Sequence, residues 1–351
     1  MRRFQLYCTG CILLFIAFAC QHENYKGAVK IYNGDFGEAI YLTSENVDFD
    51  EPMMKPVRLL LIDSILLAFN MNTDPLIHKY NLNTFKKTGE CISFGGGPED
   101  LLSIRNMQRS DSTIWLTDTQ SKKCLNYLIS DLCFKETFQS LNRVSTSEMF
   151  KEAWIFPDCR VVSLGFNSAI KRFSFYSPDG TLIQTKGDYP SFGSDLTELE
   201  KIEGFASHMA VNYSANRIYV FCLATDLLEI YDLDGELIKM VHGPDHFFPA
   251  VQEKRNGDMV RVSSQMDLSR DAYSSPVIIN DEIFVLYSGT YFTTESVGYR
   301  KDQLLVYDKD GHPLRRYKLS EAVFQIAVDA ENKVIYGLSD SPEYHLLGFR
   351  Y

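Results

Sequence analysis

YDLDGELIKM, residues 231–240, is the stretch that decides the fold. It reads as an aromatic, a two-residue step, Asp-Gly and then an alternating strand. Asp-Gly between alternating apolar residues signals a β-hairpin, with both turn positions expected at positive φ. The pattern returns as YSPDGTLIQT from Tyr176 and YDKDGHPLRR from Tyr307, and more weakly as YNLNTFKKTGECI from Tyr80 and YLISDLCFKETF from Tyr127. From Tyr80 onward these tyrosines are 47, 49, 55 and 76 residues apart. A period of about 45 residues accommodates four short strands, the size of a propeller blade, and the period-two alternation excludes solenoids of helix pairs.

Quartets of strands begin near Lys55, Leu101, Glu152, Ser207 and Ser275. The unit ending in YHLLGFRY from Tyr344 supplies only three strands. An unpaired sheet edge is an aggregation hazard and a ring has to close. Residues 38–43 (EAIYLT), which alternate ahead of the first quartet, are therefore expected to complete the sixth blade, so that loss of everything before Ser44 lowers the melting temperature sharply.

The chain opens with Met1-Arg2-Arg3, continues through the apolar run ILLFIAFA from Ile12 to Ala19, and turns polar after Cys20. This is a charged n-region followed by a short h-region, too short for the about 20 residues of a membrane-spanning helix, and it reads as an export signal. Ala17 and Ala19 before Cys20 resemble a bacterial lipobox, although the position three before the cysteine is usually Leu, Val or Ile. The resemblance implies lipidation of Cys20. The expected organisation is a signal peptide at 1–19, a lipidated Cys20 and tether at 20–35, and the propeller at 36–351. Cleavage removes Arg2 and Arg3 and no acidic residue, so the formal charge of -11 becomes -13. That balance argues against nucleic acid as a partner, because phosphate backbones call for clustered Lys and Arg. Cys8-x-x-Cys11 falls in the removed peptide. Cys91, Cys124, Cys133, Cys159 and Cys222 lack the paired spacing of zinc sites and read as core residues, with one disulfide left open.

Six units, aromatic-x-x-Asp-Gly hairpins and the Gly-Pro exits FGGGPEDL at Phe94 and HGPDHFFP at His242 resemble the six-bladed TolB-like and NHL-like β-propellers, in particular lipoproteins of Bacteroides-type bacteria. The resemblance covers about residues 36–351 and implies an all-β ring of four-stranded antiparallel blades closed by an N-terminal strand, held in the cell envelope by a lipid anchor and most readily at the outer membrane. It specifies fold rather than chemistry.

In an up-and-down blade the a–b and c–d turns lie on one face, and the b–c loops and d-to-a links on the other. The turns are short. The long segments 187–204, 243–273 and 289–301 all fall on the second face, and long loops on a rigid scaffold carry function. They hold Tyr189, Phe192, His246, Phe247, Phe248, Arg255, Arg270, Tyr291, Phe292, Tyr299 and Arg300, the residue types that dominate binding energy. The first expectation is non-catalytic binding of a glycan, peptide or protein without a cofactor; the competing reading is that these side chains fold down and seal the barrel.

No G-x-S-x-G, Walker or H-E-x-x-H motif is present. The H-x-x-D-H of His242, Asp245 and His246 reads as a strand-exit turn before it reads as metal ligands. His208, opening strand a of the fourth blade, is a candidate base. Some six-bladed relatives are calcium-dependent lactonases, so the alternative is a channel-centred hydrolase with calcium as cofactor. Its carboxylate and amide candidates are Glu99, Asp100, Asn167, Asp226 and Asp245.

Overall fold

The computed structural model describes residues 24–165, 167–257, 259–293 and 299–351; Cys20 and the export signal lie outside them. Six antiparallel sheets follow one another around a central channel. The first five blades run a to d from Pro56–Ile62 to Lys86–Cys91, Asn106–Ser110 to Asn142–Ser145, Glu152–Ile155 to Leu182–Lys186, Ser207–Asn212 to Leu237–His242, and Tyr273–Ile279 to Pro313–Val323. The sixth contains Gln325–Asp329, Val334–Ser339 and His345–Arg350, with Ser44–Val47 as its outer strand.

The tyrosines that mark the repeat explain its regularity. Tyr80, Tyr127, Tyr176, Tyr231 and Tyr307 all lie on or at the end of strand c and are at most 1% exposed, wedged between blades. The Asp-Gly hairpins differ from the expected turn. Gly180, Gly235 and Gly311 alone take positive φ, at 85°, 80° and 75°. The register slips at the preceding tyrosine in each case, giving a bulged hairpin in place of a two-residue turn. In the fourth blade the Asp232 carboxylate holds the turn by accepting from the amides of Asp234 at 3.0 Å and Glu236 at 2.9 Å.

The seam strand begins six residues further along the chain than expected, at Ser44 in place of Glu38. Ser44–Val47 pairs antiparallel with His345–Arg350, with Val47 opposite Leu346. Ala39–Leu42, at the centre of the segment expected there, runs parallel to Pro313–Val323 and adds a fifth strand to the fifth blade. The long outer strand of that blade has a free edge to receive it, and Leu42 is buried while Ile40 and Tyr41 face solvent.

The described body starts at Asn24, inside the segment expected to be a tether. Val29–Lys30 adds a parallel strand to the fourth blade. Tyr25, 1% exposed, sits among Phe205, Cys222 and Leu227 and bonds the Thr225 hydroxyl at 2.8 Å. All five cysteines after residue 23 are free thiols, and burial pushes Cys91, Cys124 and Cys222 up to about 12.

Two insertions decorate the loop-bearing face. Glu198–Gly204 is a short helix with a capping box, in which the Thr197 hydroxyl accepts from the Glu200 amide and the Glu200 carboxylate accepts from the Thr197 amide. Val251–Asn256 and Met259–Ser264 form a separate hairpin within the link from blade four to blade five.

Candidate functional site

Strand a of every blade starts on the loop-bearing face and lines the channel, so the first residues of the six a strands meet at one end of it. Arg58, Arg105, Glu152 and His208 come together there, the last two on adjacent blades. Below them the channel encloses about 530 Å³ with walls that include Leu60, Met107, Trp154, Ala210 and Ile278. Above them a mouth of about 370 Å³ is lined by Asp271, Tyr299, Lys301, Asp340 and Tyr344, with Arg58 and His208 shared between the two spaces.

Glu152 is the hub of this neck. One carboxylate oxygen accepts from the Met209 amide at 2.8 Å, the other lies 3.0 Å from His208 Nδ1 and 3.7 Å from Arg105 Nη2. Burial by itself raises a carboxyl group; His208, Arg105 and the amide outweigh it and hold Glu152 below the usual range. For His208 the balance is opposite. Burial, reinforced by Arg105 and Arg58, lowers the imidazole despite the pull of Glu152. Arg58 donates to the carbonyls of Arg105 at 3.2 Å and Val57 at 2.6 Å, and among the described residues no carboxylate pairs with it. Burial and then the Arg105 charge push its guanidinium down to about 10. Arg105 Nε is buried without a hydrogen-bond partner.

The mouth, by contrast, is neutralised pair by pair. Lys301 is bonded to Asp271, with burial lowering the ammonium and raising the carboxyl. Tyr299 donates to Asp340, and Arg300 Nε lies 3.6 Å from the same carboxylate.

The aromatic and arginine loop residues divide into four groups. Tyr189 and Phe192 fold down. Phe192 stacks on Phe248 at 4.6 Å and meets Tyr25 edge-on at 5.5 Å, while Tyr189 lies 5.4 Å from the Arg172 guanidinium. His246, Phe247, Arg270 and Tyr291 gather over Asp245. Arg270 pairs with Asp245 at 3.1 Å and covers the rings of Phe247 at 4.4 Å and Tyr291 at 5.2 Å, while His246 packs against Tyr32. Arg255 projects on the extra hairpin beside Glu253. Of the described members of this set only Tyr299 lines the mouth, with Arg300 beside it through Asp340.

The carboxylate and amide candidates hold turns rather than a common centre. Glu99 accepts from the amide and hydroxyl of Ser140 at 2.9 and 2.8 Å, Asp100 from the Gly97 amide at 3.0 Å, and Asn167 bridges both backbone groups of Lys171. Asp226 is fully buried and accepts the successive amides of Asp245, His246 and Phe247 at 2.6, 2.7 and 3.0 Å, with His242 Nε2 at 3.3 Å. Asp245 accepts from Tyr287 at 2.7 Å. Among the described residues no three His, Cys, Asp or Glu side chains are gathered as a metal would need.

The residues that sequence reading missed are Arg58, Arg105, Glu152, Asp271, Lys301, Asp340 and Tyr344. Arg58 and Glu152 carried a signal, since each is the one charge at the start of an otherwise apolar inner strand, whereas Arg105 precedes the polar NMQRS and stood out from nothing.

Among known proteins, the model of the family described as TolB-like 6-blade propeller-like matches residues 35–331. No curated protein matches the chain. A Bacteroides fragilis protein described as exported has a similar structure at 10% identity and a TM-score of 0.54, over 92% of this chain and 98% of that one. A Bacteroides vulgatus member of the DUF4221 family is similar at 9% identity and a TM-score of 0.55, over 89% and 96%. At such identities the likeness is one of fold. With the family model spanning most of the ring, the chain belongs to the TolB-like six-bladed propeller family.

Proposed function

We propose that this is an exported, lipid-anchored envelope protein whose propeller binds a ligand or partner, without catalysis, at the channel mouth on its loop-bearing face. The observation that carries the reading is the open mouth above a cavity at the convergence of the inner strands, the place where a rigid ring can present groups from several blades at once. A glycan or peptide suits the Tyr299 and Tyr344 rings and the ion pairs beside them. The description of the B. fragilis neighbour as exported supports the address, as does the leader sequence.

The start of the folded body bears on the same face. Tyr25 packs beneath the links between blades, and the Lys26 amide donates to the Ser191 carbonyl in one of them. Three residues lie between Cys20 and Asn24, four Cα steps with a reach of about 13 Å. A lipid on Cys20 therefore turns the mouth toward the bilayer.

Isothermal titration calorimetry with peptidoglycan fragments and short peptides tests the binding site. A ligand whose Kd rises at least tenfold in Tyr299→Ala and is unchanged in Arg255→Ala supports it; equal affinity in all three proteins overturns it. Cys20→Ala should abolish palmitate labelling and release the protein from the membrane fraction. Calcium is the discriminating addition: a melting temperature raised by several degrees, and lost on Asp226→Asn or Asp245→Asn, would favour the hydrolase instead.

A further inference from the structure

We propose that the neck of the channel is an anion site, in which Arg58 and Arg105 hold the carboxylate or phosphate group of a small ligand whose body lies in the cavity below. The inference rests on the mouth being the binding face and assigns the chemistry it selects. Two guanidinium groups stand over one carboxylate, and the Glu152 oxygens are already engaged by the Met209 amide and His208. The charges of Lys301 and Arg300 above are matched by Asp271 and Asp340, so they do not cancel the surplus.

A partly desolvated cation without a counter-ion is costly, and a ligand anion is the group that relieves it. The depressed Arg58 guanidinium is consistent with that excess. His208 adds to the recognition: its Nδ1 is bound to Glu152, which leaves Nε2 as the ring atom for a ligand in the cavity it lines. Around the lower part of the cavity Leu60, Met107 and Ala210 offer an apolar wall, so the fitting ligand has an anionic head and a body with apolar surface.

Thermal unfolding and calorimetry with inorganic phosphate, acetate and butyrate, against chloride at matched ionic strength, test this. One of the three should raise the melting temperature by about 2 °C at tenfold its Kd. A phosphate response identifies a phosphate ligand. An acetate or butyrate response identifies a carboxylate, with butyrate tighter if the apolar wall is used. Arg58→Met and Arg105→Met should each weaken the response at least tenfold, and Arg58→Lys should retain part of it. No response to any probe, or a response unchanged in both methionine variants, overturns the proposal. If Tyr299-dependent peptide or glycan binding persists while no anion binds, only this inference falls. If anions bind but Tyr299→Ala changes nothing, only the broader reading of the mouth falls.

Discussion

Two sites in this ring draw arginine out of water, and they are opposite in kind: Arg172 is buried outright, Arg58 and Arg105 are half-buried. Arg172, between the third and fourth blades, uses its whole fork. It donates to Glu229 from Nε at 3.1 Å and from Nη2 at 2.5 Å, to the Phe205 carbonyl at 2.6 Å and to the Ser207 hydroxyl at 2.8 Å, with the pair 3% and 1% exposed. Glu229 raises its guanidinium against the pull of burial. At the neck Arg58 finds carbonyls only, and Arg105 shares a carboxylate at 3.7 Å. Both sites strip water from a guanidinium, though the neck does so only in part, the Arg105 side chain being 30% exposed. What separates a structural arginine from a binding one is whether charge and N–H groups remain over once the protein has made its own contacts.

The largest test removes the satisfied pair. Arg172→Met should cost about 3–5 kcal/mol in urea unfolding, because it strands Glu229, and adding Glu229→Gln should recover much of that. If the single variant is mild, the two sites do not differ as argued. At the neck, Glu152→Gln should cost about 2 kcal/mol and tighten phosphate or carboxylate binding severalfold, since the last counter-charge is gone. Unchanged affinity would show that Glu152 is not what limits the anion.

Acidity gives a smaller effect. The His208 imidazole is depressed by burial in the folded state, so below its unfolded value of about 6.5 the unfolded chain binds more protons, and stability falls as pH drops from 7 to 5. His78 and His246 shift the same way and share the slope. The depressed Glu152 adds stability above about pH 4.3 that is lost only on further acidification. His208→Gln should flatten melting temperature against pH between 5 and 7; an unchanged slope would remove His208 from the argument. Least of all, Arg255→Ala on the exposed hairpin should alter stability by no more than about 0.5 kcal/mol in the same unfolding measurement.

The ring itself was legible because its repeat rests on one demand made five times over, a buried tyrosine at the end of strand c and a turn after it. The seam was less legible. EAIYLT and SENV are both short segments next to each other, and only the positions of Leu42 and Val47 against their separate partners distinguish a fifth strand of one blade from the fourth of the next. The placement of the candidate side chains was harder to read. Phe192 and Phe248 have the composition of a binding loop, but composition does not say whether an aromatic meets a ligand or its own chain, and their partner Tyr25 lay in a segment read as tether. The neck residues come from four different blades, so no local window contains them.

The pairing of Ser44–Val47 with His345–Arg350 also sets an order of events. A chain threaded out N-terminus first delivers one half of the seam almost at once and the other half nearly last. Until then the sixth sheet has an unpaired edge, and pairing across so long a loop is slow. The ring therefore acts as its own proofreader. A product that stops short of residue 345 lacks the partner of Ser44–Val47 and leaves that sheet edge open to aggregation and proteolysis.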